Sequence, residues 1–225
     1  MNLLPSLLAI ALSWPVPTPP AGYERESDEA YRERVTVIVR AIAAVTDDPY
    51  EAAALLVLSR DESTFDPWIH AGLAHPDPRK HQDHGRARCV LQIHRSRLVP
   101  EWAELAGTDF DSTVRCMKAG LRLLRGAAGY CKASLHTRPG VTRALSLYAT
   151  GRSCLPITLA KERSERWSLV VDEINRRQRP ARHRPRRPRP TATTARMGAL
   201  GRLPTLVPSP DVECATSSTT PATTR

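Results

Sequence analysis

The stretch SRDESTFDP, residues 59–67, sets a carboxylate at the end of an apolar run, with Glu62 seven residues after Leu55 and four after Leu58. On a helix that spacing puts the three on nearly one face, so the Glu62 carboxylate is expected at the lip of the core. Partial burial and the negative end of a helix both disfavour charge there, and a neutral carboxylic acid is what a glycosidic oxygen requires in order to leave. The plainer alternative is a helix end inside a charge cluster, Arg60, Asp61 and Glu62, with Glu62 paired to Arg60 or to another basic residue. Elsewhere His70, His75, His81 and His84 share one segment. They lack i, i+4 pairing on a helix and a flanking ligand set, so neither a metal nor another cofactor is expected. Trp68 and Trp102 could stack on sugar rings or simply pack.

Several elements must hold these residues in place. Ser27 followed by Asp28 and Glu29 predicts a helix start, because a hydroxyl caps free amides and acids suit the positive dipole end; that helix runs to about Val45. In DDPYEAAALLVLSRDES, Asp48 can cap, Pro49 takes the first helical position and Glu51 closes a capping box. Residues 52–58 are apolar on every side, which predicts a helix at the centre of a core. Residues 66–88, rich in Pro, Gly, His and charge, predict a long loop, with room for a small hairpin within 66–95. Further helices are expected at about 98–106, 110–128, 140–149 and 157–177, giving an all-α domain over about 25–177 with no internal repeat.

The 225 residues fit one domain with tails. The net charge of +10 is unevenly placed, since 11 Arg face 2 acids from Asn175 onward while 22 Lys and Arg face 21 acids before it. Residues 178–225, Arg/Pro-rich and then Thr/Ser/Pro-rich, predict a disordered tail that either tethers a polyanion or is merely solvated. No aromatic residue is interleaved there, so specific nucleic-acid recognition is not expected. Residues 3–14 are apolar but shorter than the roughly 20 residues a bilayer span needs. Residues 1–24 therefore predict a secretion signal, or alternatively a disordered apolar arm or a misassigned start. Cys89, Cys116, Cys131 and Cys154 lie mid-chain and Cys214 stands in the tail, which suggests two bridges and a spare; four cysteines allow three connectivities, and buried reduced thiols are the alternative.

Four blocks in order along residues 48–155 resemble the soluble lytic transglycosylase and goose-type lysozyme superfamily, which cleaves peptidoglycan glycan strands. They are Glu62, Ser63, Phe65 and Pro67; Ala87, Leu91, Gln92 and Ile93 in GRARCVLQIH; Ala119, Gly120, Leu123 and Leu124; and Tyr148, Ala149, Thr150 and Gly151 in SLYATGRSC. The resemblance implies a lysozyme-like helical domain with Glu62 as the catalytic acid. Ser63 would bind substrate or cap the helix end, Gln92 would meet an acetamido group or sit at a turn, and Tyr148 would support charge changes at Glu62 or pack. It also implies the pairings Cys89–Cys116 and Cys131–Cys154, each adding roughly 3 kcal/mol by restricting the unfolded chain. The chain departs from the family where Arg86 and Cys89 replace small residues and where Ala149 replaces the Asn after the tyrosine.

Hydrolysis needs two carboxyls, about 5–5.5 Å apart or about 6.5–9.5 Å apart. Asp61 lies about 100° round the helix from Glu62, and Asp66, Asp77 and Asp83 lie on the loop. Transglycosylation needs one acid, which protonates the leaving oxygen and then takes the proton of the muramic 6-hydroxyl as a 1,6-anhydro ring closes. The expectation is an exported lytic transglycosylase acting on peptidoglycan, secreted or periplasmic or used by a phage. A lysozyme-type hydrolase using Asp83, or a non-catalytic glycan-binding protein tethered by its tail, are the alternatives.

Overall fold

The computed structural model describes residues 2–16, 26–72 and 86–179. Residues 180–225 of the expected disordered tail, and His75, His81, His84, Asp77, Asp83 and Cys214, lie outside these residues.

The described residues are mainly α-helical, with seven α-helices and one minimal sheet: α1 Leu4–Ser13, α2 Asp28–Val45, α3 Pro49–Ser63, α4 Pro67–Ala71, α5 Phe110–Tyr130, α6 Arg138–Thr150 and α7 Thr158–Gln178. The start of α2 is built as its sequence implies, with the Ser27 hydroxyl accepting from the Ala30 amide and two acids in the first turn. In α3 the Asp48 carboxylate accepts from the amides of Tyr50 and Glu51, with Pro49 at the first helical position, where a missing N–H costs nothing. The expected capping box does not close. Glu51 instead accepts from the Thr46 hydroxyl and from Arg125 on α5, while Thr46 Oγ1 accepts the Asp48 amide. A long-range guanidinium is a stronger partner for a carboxylate than one local amide.

Helix α3 is the centre of the core. Every residue from Glu51 to Ser59 is buried, and the helix packs against α1, α2, α5 and α7. Full burial on all sides removes any polar face, as its composition requires. Around it lie the stripes Val35, Ile38, Val39 and Ile42 of α2, Met117 and Leu124 of α5, Val141 and Leu145 of α6, and Trp167, Val170 and Ile174 of α7. Each large apolar side chain contributes roughly 1.5–3 kcal/mol when fully buried.

Three local expectations are corrected. Residues 2–16 are no disordered arm: α1 buries Leu7, Ile10 and Ala11, with Leu3 before it also buried, and packs against α2, α3 and α7. The start of the expected 66–88 loop is helical, because Asp66 caps the amides of Trp68 and Ile69 and Pro67 opens the turn, repeating the Asp48–Pro49 device. The hairpin is present as β1 Ala87–Arg88 and β2 Ile93–His94, antiparallel, with Ala87 opposite His94 and Arg88 opposite Ile93. The helix expected at about 98–106 is only a 3-10 turn, Trp102–Leu105.

Two disulfides tie the helices together. Cys89–Cys116 joins the hairpin turn to α5, and Cys131–Cys154 joins the end of α5 to the α6–α7 connection. This is the pairing that the family resemblance implies. Both bridges are consistent with an oxidising environment. Among the described residues, no helix is long and apolar enough to cross a membrane.

Candidate active site

Glu62 stands in the last turn of α3, which ends at Thr64 in the left-handed conformation, followed by Phe65 in the same region. Such backbone costs roughly 1–3 kcal/mol per non-glycine residue and persists only where packing enforces it. Here Phe65 is buried under α1, its ring stacked on Trp14 at 6.0 Å, and its carbonyl accepts from Arg34 Nε at 2.7 Å. The turn that follows Glu62 is therefore clamped from two helices.

The partner of Glu62 was not legible from its neighbours. Arg163 on α7 donates from Nη1 to Glu62 Oε1 at 2.6 Å, and its own side chain is only 4% exposed. Arg163 Nε lies 3.8 Å from Asp61 Oδ2 and makes no hydrogen bond, while Arg166 donates to Asp61 from Nε at 3.1 Å and from Nη2 at 2.8 Å. Two acids of α3 thus face two arginines of α7. The lip expected to be apolar is lined by a guanidinium, and Arg60 is not the partner of Glu62; it lies over the Trp14 ring at 4.5 Å. A signal for Arg163 does exist in the sequence, since it interrupts the stripe Ala160, Trp167, Val170 and Ile174 at heptad spacing. A lone arginine on an apolar stripe needs a buried acid.

Ser63 is buried and turned inward. Its hydroxyl donates to the Ser59 carbonyl at 2.5 Å and accepts from the Phe65 amide at 3.0 Å, which gives it the capping role. Tyr148, on α6, donates its hydroxyl to the Leu91 carbonyl at 3.0 Å. Its pKa is pushed up, chiefly by burial and then by the negative charge of Glu62, with Arg163 opposing. Gln92 follows Leu91 in the hairpin turn, with left-handed backbone and its amide donating to the Cys89 carbonyl at 3.0 Å. Among the described residues its half-exposed side chain makes no hydrogen bond.

The position of that turn depends on α5. A Cβ on Gly120 would lie 2.2 Å from Leu91 Cδ1, so only glycine lets α5 approach Leu91 this closely, while Cys116 one turn earlier is bonded to Cys89. Glu62, Leu91–Gln92 and Tyr148 are thus brought to one locality by α3, the hairpin and α6. Ala149, at the position where the family has Asn, is exposed.

Other carboxylates near Glu62 in sequence are engaged: Asp61 by Arg166, and Asp66 by the α4 amides. His70 is buried against Thr113, and no group of three or more His, Cys, Asp or Glu residues that could hold a metal occurs among the described residues. Trp68 is 39% exposed on α4. Trp102 is half-buried, with Nε1 donating to the Ile93 carbonyl at 2.8 Å and the Arg88 guanidinium 4.7 Å over its ring. A cavity of about 890 Å³ along α2, lined by Asp28, Glu29, Arg32, Glu33, Thr36, Val37 and Arg40, includes none of the expected site residues.

Comparison of the chain with protein-family models, with curated proteins and with solved structures found no match.

Proposed function

We propose that the protein is an exported lysozyme-like lytic transglycosylase, cleaving the β-1,4 bond between N-acetylmuramic acid and N-acetylglucosamine in peptidoglycan. The observation that carries this reading is the Tyr148 hydroxyl: it is bonded to the Leu91 carbonyl next to Gln92 and lies within the electrostatic reach of Glu62. The hydroxyl thus bonds the segment that bears Gln92 and feels the charge of Glu62.

In the mechanism, Arg163 holds Glu62 Oε1 and proton transfer falls to Oε2. Glu62 gives its proton to the leaving glycosidic oxygen as the bond to C1 of the muramic sugar breaks. The resulting carboxylate takes the proton of the 6-hydroxyl, and O6 closes on C1 to form the 1,6-anhydro ring, so that no water is consumed. Gln92 offers an amide donor and acceptor to an acetamido group. One positioned acid suffices, in keeping with the engagement of Asp61 and Asp66 elsewhere.

A second reading, a glycan-binding domain that does not cut, is favoured by one observation: Glu62 is half of an ion pair with a buried guanidinium. The deciding experiment is mass spectrometry of muropeptides after incubating purified peptidoglycan with the wild type and with Glu62→Gln. Anhydro-ended products that vanish in the variant support the transglycosylase. Reducing-end products would mean hydrolysis, and binding without products would mean the non-catalytic domain.

A further inference from the structure

The charge of the folded residues is segregated along the chain. Residues 26–72 carry 10 acids against 4 Arg, whereas residues 86–132 carry 9 Lys and Arg against 4 acids. Part of that excess gathers beside the hairpin. Arg95 and Arg97 line a cavity of about 550 Å³ with Ser96, Val99, Pro100, Trp102 and Ala103. Both arginines are exposed, and neither has a carboxylate partner among the described residues. Arg88 lies over the Trp102 ring and also donates to the Gly72 carbonyl, so the indole is held in place. Arg122 is bonded to Glu101 and to the Leu98 carbonyl, which ties the segment bearing the cavity to α5.

This cavity is connected to the candidate active site by a short run of backbone. Trp102 Nε1 is bonded to the Ile93 carbonyl, Gln92 precedes Ile93, and the Leu91 carbonyl takes the Tyr148 hydroxyl. The candidate active site and the cavity thus share the segment 91–93, with Tyr148 bonded at one end of it and Trp102 at the other.

We propose that the cavity at Arg95, Arg97 and Trp102 is a subsite for the acidic peptide stem borne by the muramic sugars, so that the preferred substrate is peptide-bearing glycan. The inference rests on the peptidoglycan reading above. Exposed guanidinium groups bind carboxylates through paired hydrogen bonds, and an indole wall takes the aliphatic parts of a peptide. A short open cavity with two arginines that have no carboxylate partner among the described residues suits a short branch with a few carboxylates better than a long phosphodiester polymer, which would need an extended basic track.

The test compares intact peptidoglycan with amidase-stripped glycan strands. Binding is measured in the Glu62→Gln background, with and without the double change Arg95→Gln and Arg97→Gln, and cleavage is measured in the wild type. The expected result is at least about tenfold tighter binding to intact than to stripped glycan, a difference of about 1.4 kcal/mol. The double variant should bind both as weakly as stripped glycan, with an unchanged melting temperature because both side chains are exposed. Competition by free stem pentapeptide should be lost in the double variant. Equal binding of intact and stripped glycan, or equal weakening of both by the double variant, overturns the subsite. So does competition by polyglycerol phosphate in place of the pentapeptide. A retained preference for intact glycan with no cleavage products would uphold the subsite and sink the transglycosylase reading.

Discussion

Arg163 and Glu62, 101 residues apart in sequence, meet at 2.6 Å where α7 crosses the end of α3. Arg163 is nearly inaccessible and bonded to Glu62, so its removal leaves Glu62 without its buried counter-charge, while Asp61 keeps Arg166. Arg163→Met is expected to destabilise the fold by about 3 kcal/mol, read as a lower urea midpoint at unchanged slope. Glu62→Gln should cost about 1 kcal/mol, because the amide oxygen still accepts from Arg163. A loss of no more than about 0.5 kcal/mol for Arg163→Met would show that the pair is not what holds α7 to α3.

Tyr148→Phe deletes the hydrogen bond to the Leu91 carbonyl and should cost about 1 kcal/mol. Gly120→Ala forces the Leu91 side chain to move within a full core and should cost roughly 1–3 kcal/mol. Both variants disturb the same turn, so their effects on stability should fall short of additive when combined. Strict additivity in denaturant melts would separate Gly120 from the Tyr148 contact.

His70 makes stability depend on pH. Thr113 Oγ1 donates to the Asp109 carbonyl at 2.8 Å, so it accepts from His70 Nε2–H at 2.9 Å, and His70 Nδ1 is left buried without a partner among the described residues. Burial first, and the Arg34 charge second, lower the His70 pKa from 6.5 to about 4, against the opposing pull of Asp109. The unfolded chain therefore binds a proton that the folded chain refuses. The contribution, about 3 kcal/mol, is complete above pH 6.5 and is lost as pH falls toward 4. Glu51, whose pKa is lowered by its bonds to Arg125 and Thr46 against the desolvation that opposes them, loses its contribution only as pH falls below its ordinary 4.5. Urea melts between pH 7 and 4.5 should show the His70 slope, and His70→Gln should flatten it.

The two disulfides should reduce in order. Cys89 and Cys116 are both buried, whereas Cys154 is partly exposed, so graded dithiothreitol should open Cys131–Cys154 first. Each bridge is expected to contribute about 3 kcal/mol. Loss of any glycan cleavage should track Cys89–Cys116, which anchors the turn bearing Gln92. Mass mapping of alkylated thiols against activity checks both statements.

What the chain determines by itself is local. Ser27 with its acids, and Asp48 with Pro49, start helices because the cap lies within three residues of the amides it satisfies. The apolar run of α3 demands a place at the centre because it has no face for water. The ordered blocks around Glu62, Gln92 and Tyr148 are visible as types and spacing, but not as a site. The same Asp–Pro start at residues 66–67 was hidden by the proline, glycine and charge that surround it.

Packing decided the rest. Ser63 became a cap because its hydroxyl points at the Ser59 carbonyl, and Glu51 left its capping box for an arginine 74 residues away. Glu62 gained a guanidinium because α7 lies across α3 with Arg163 on its buried stripe. Short-range hydrogen bonds depend on neighbours in sequence and can be read there. Which distant charge meets which carboxylate depends on how helices cross, and only the tertiary structure determines that.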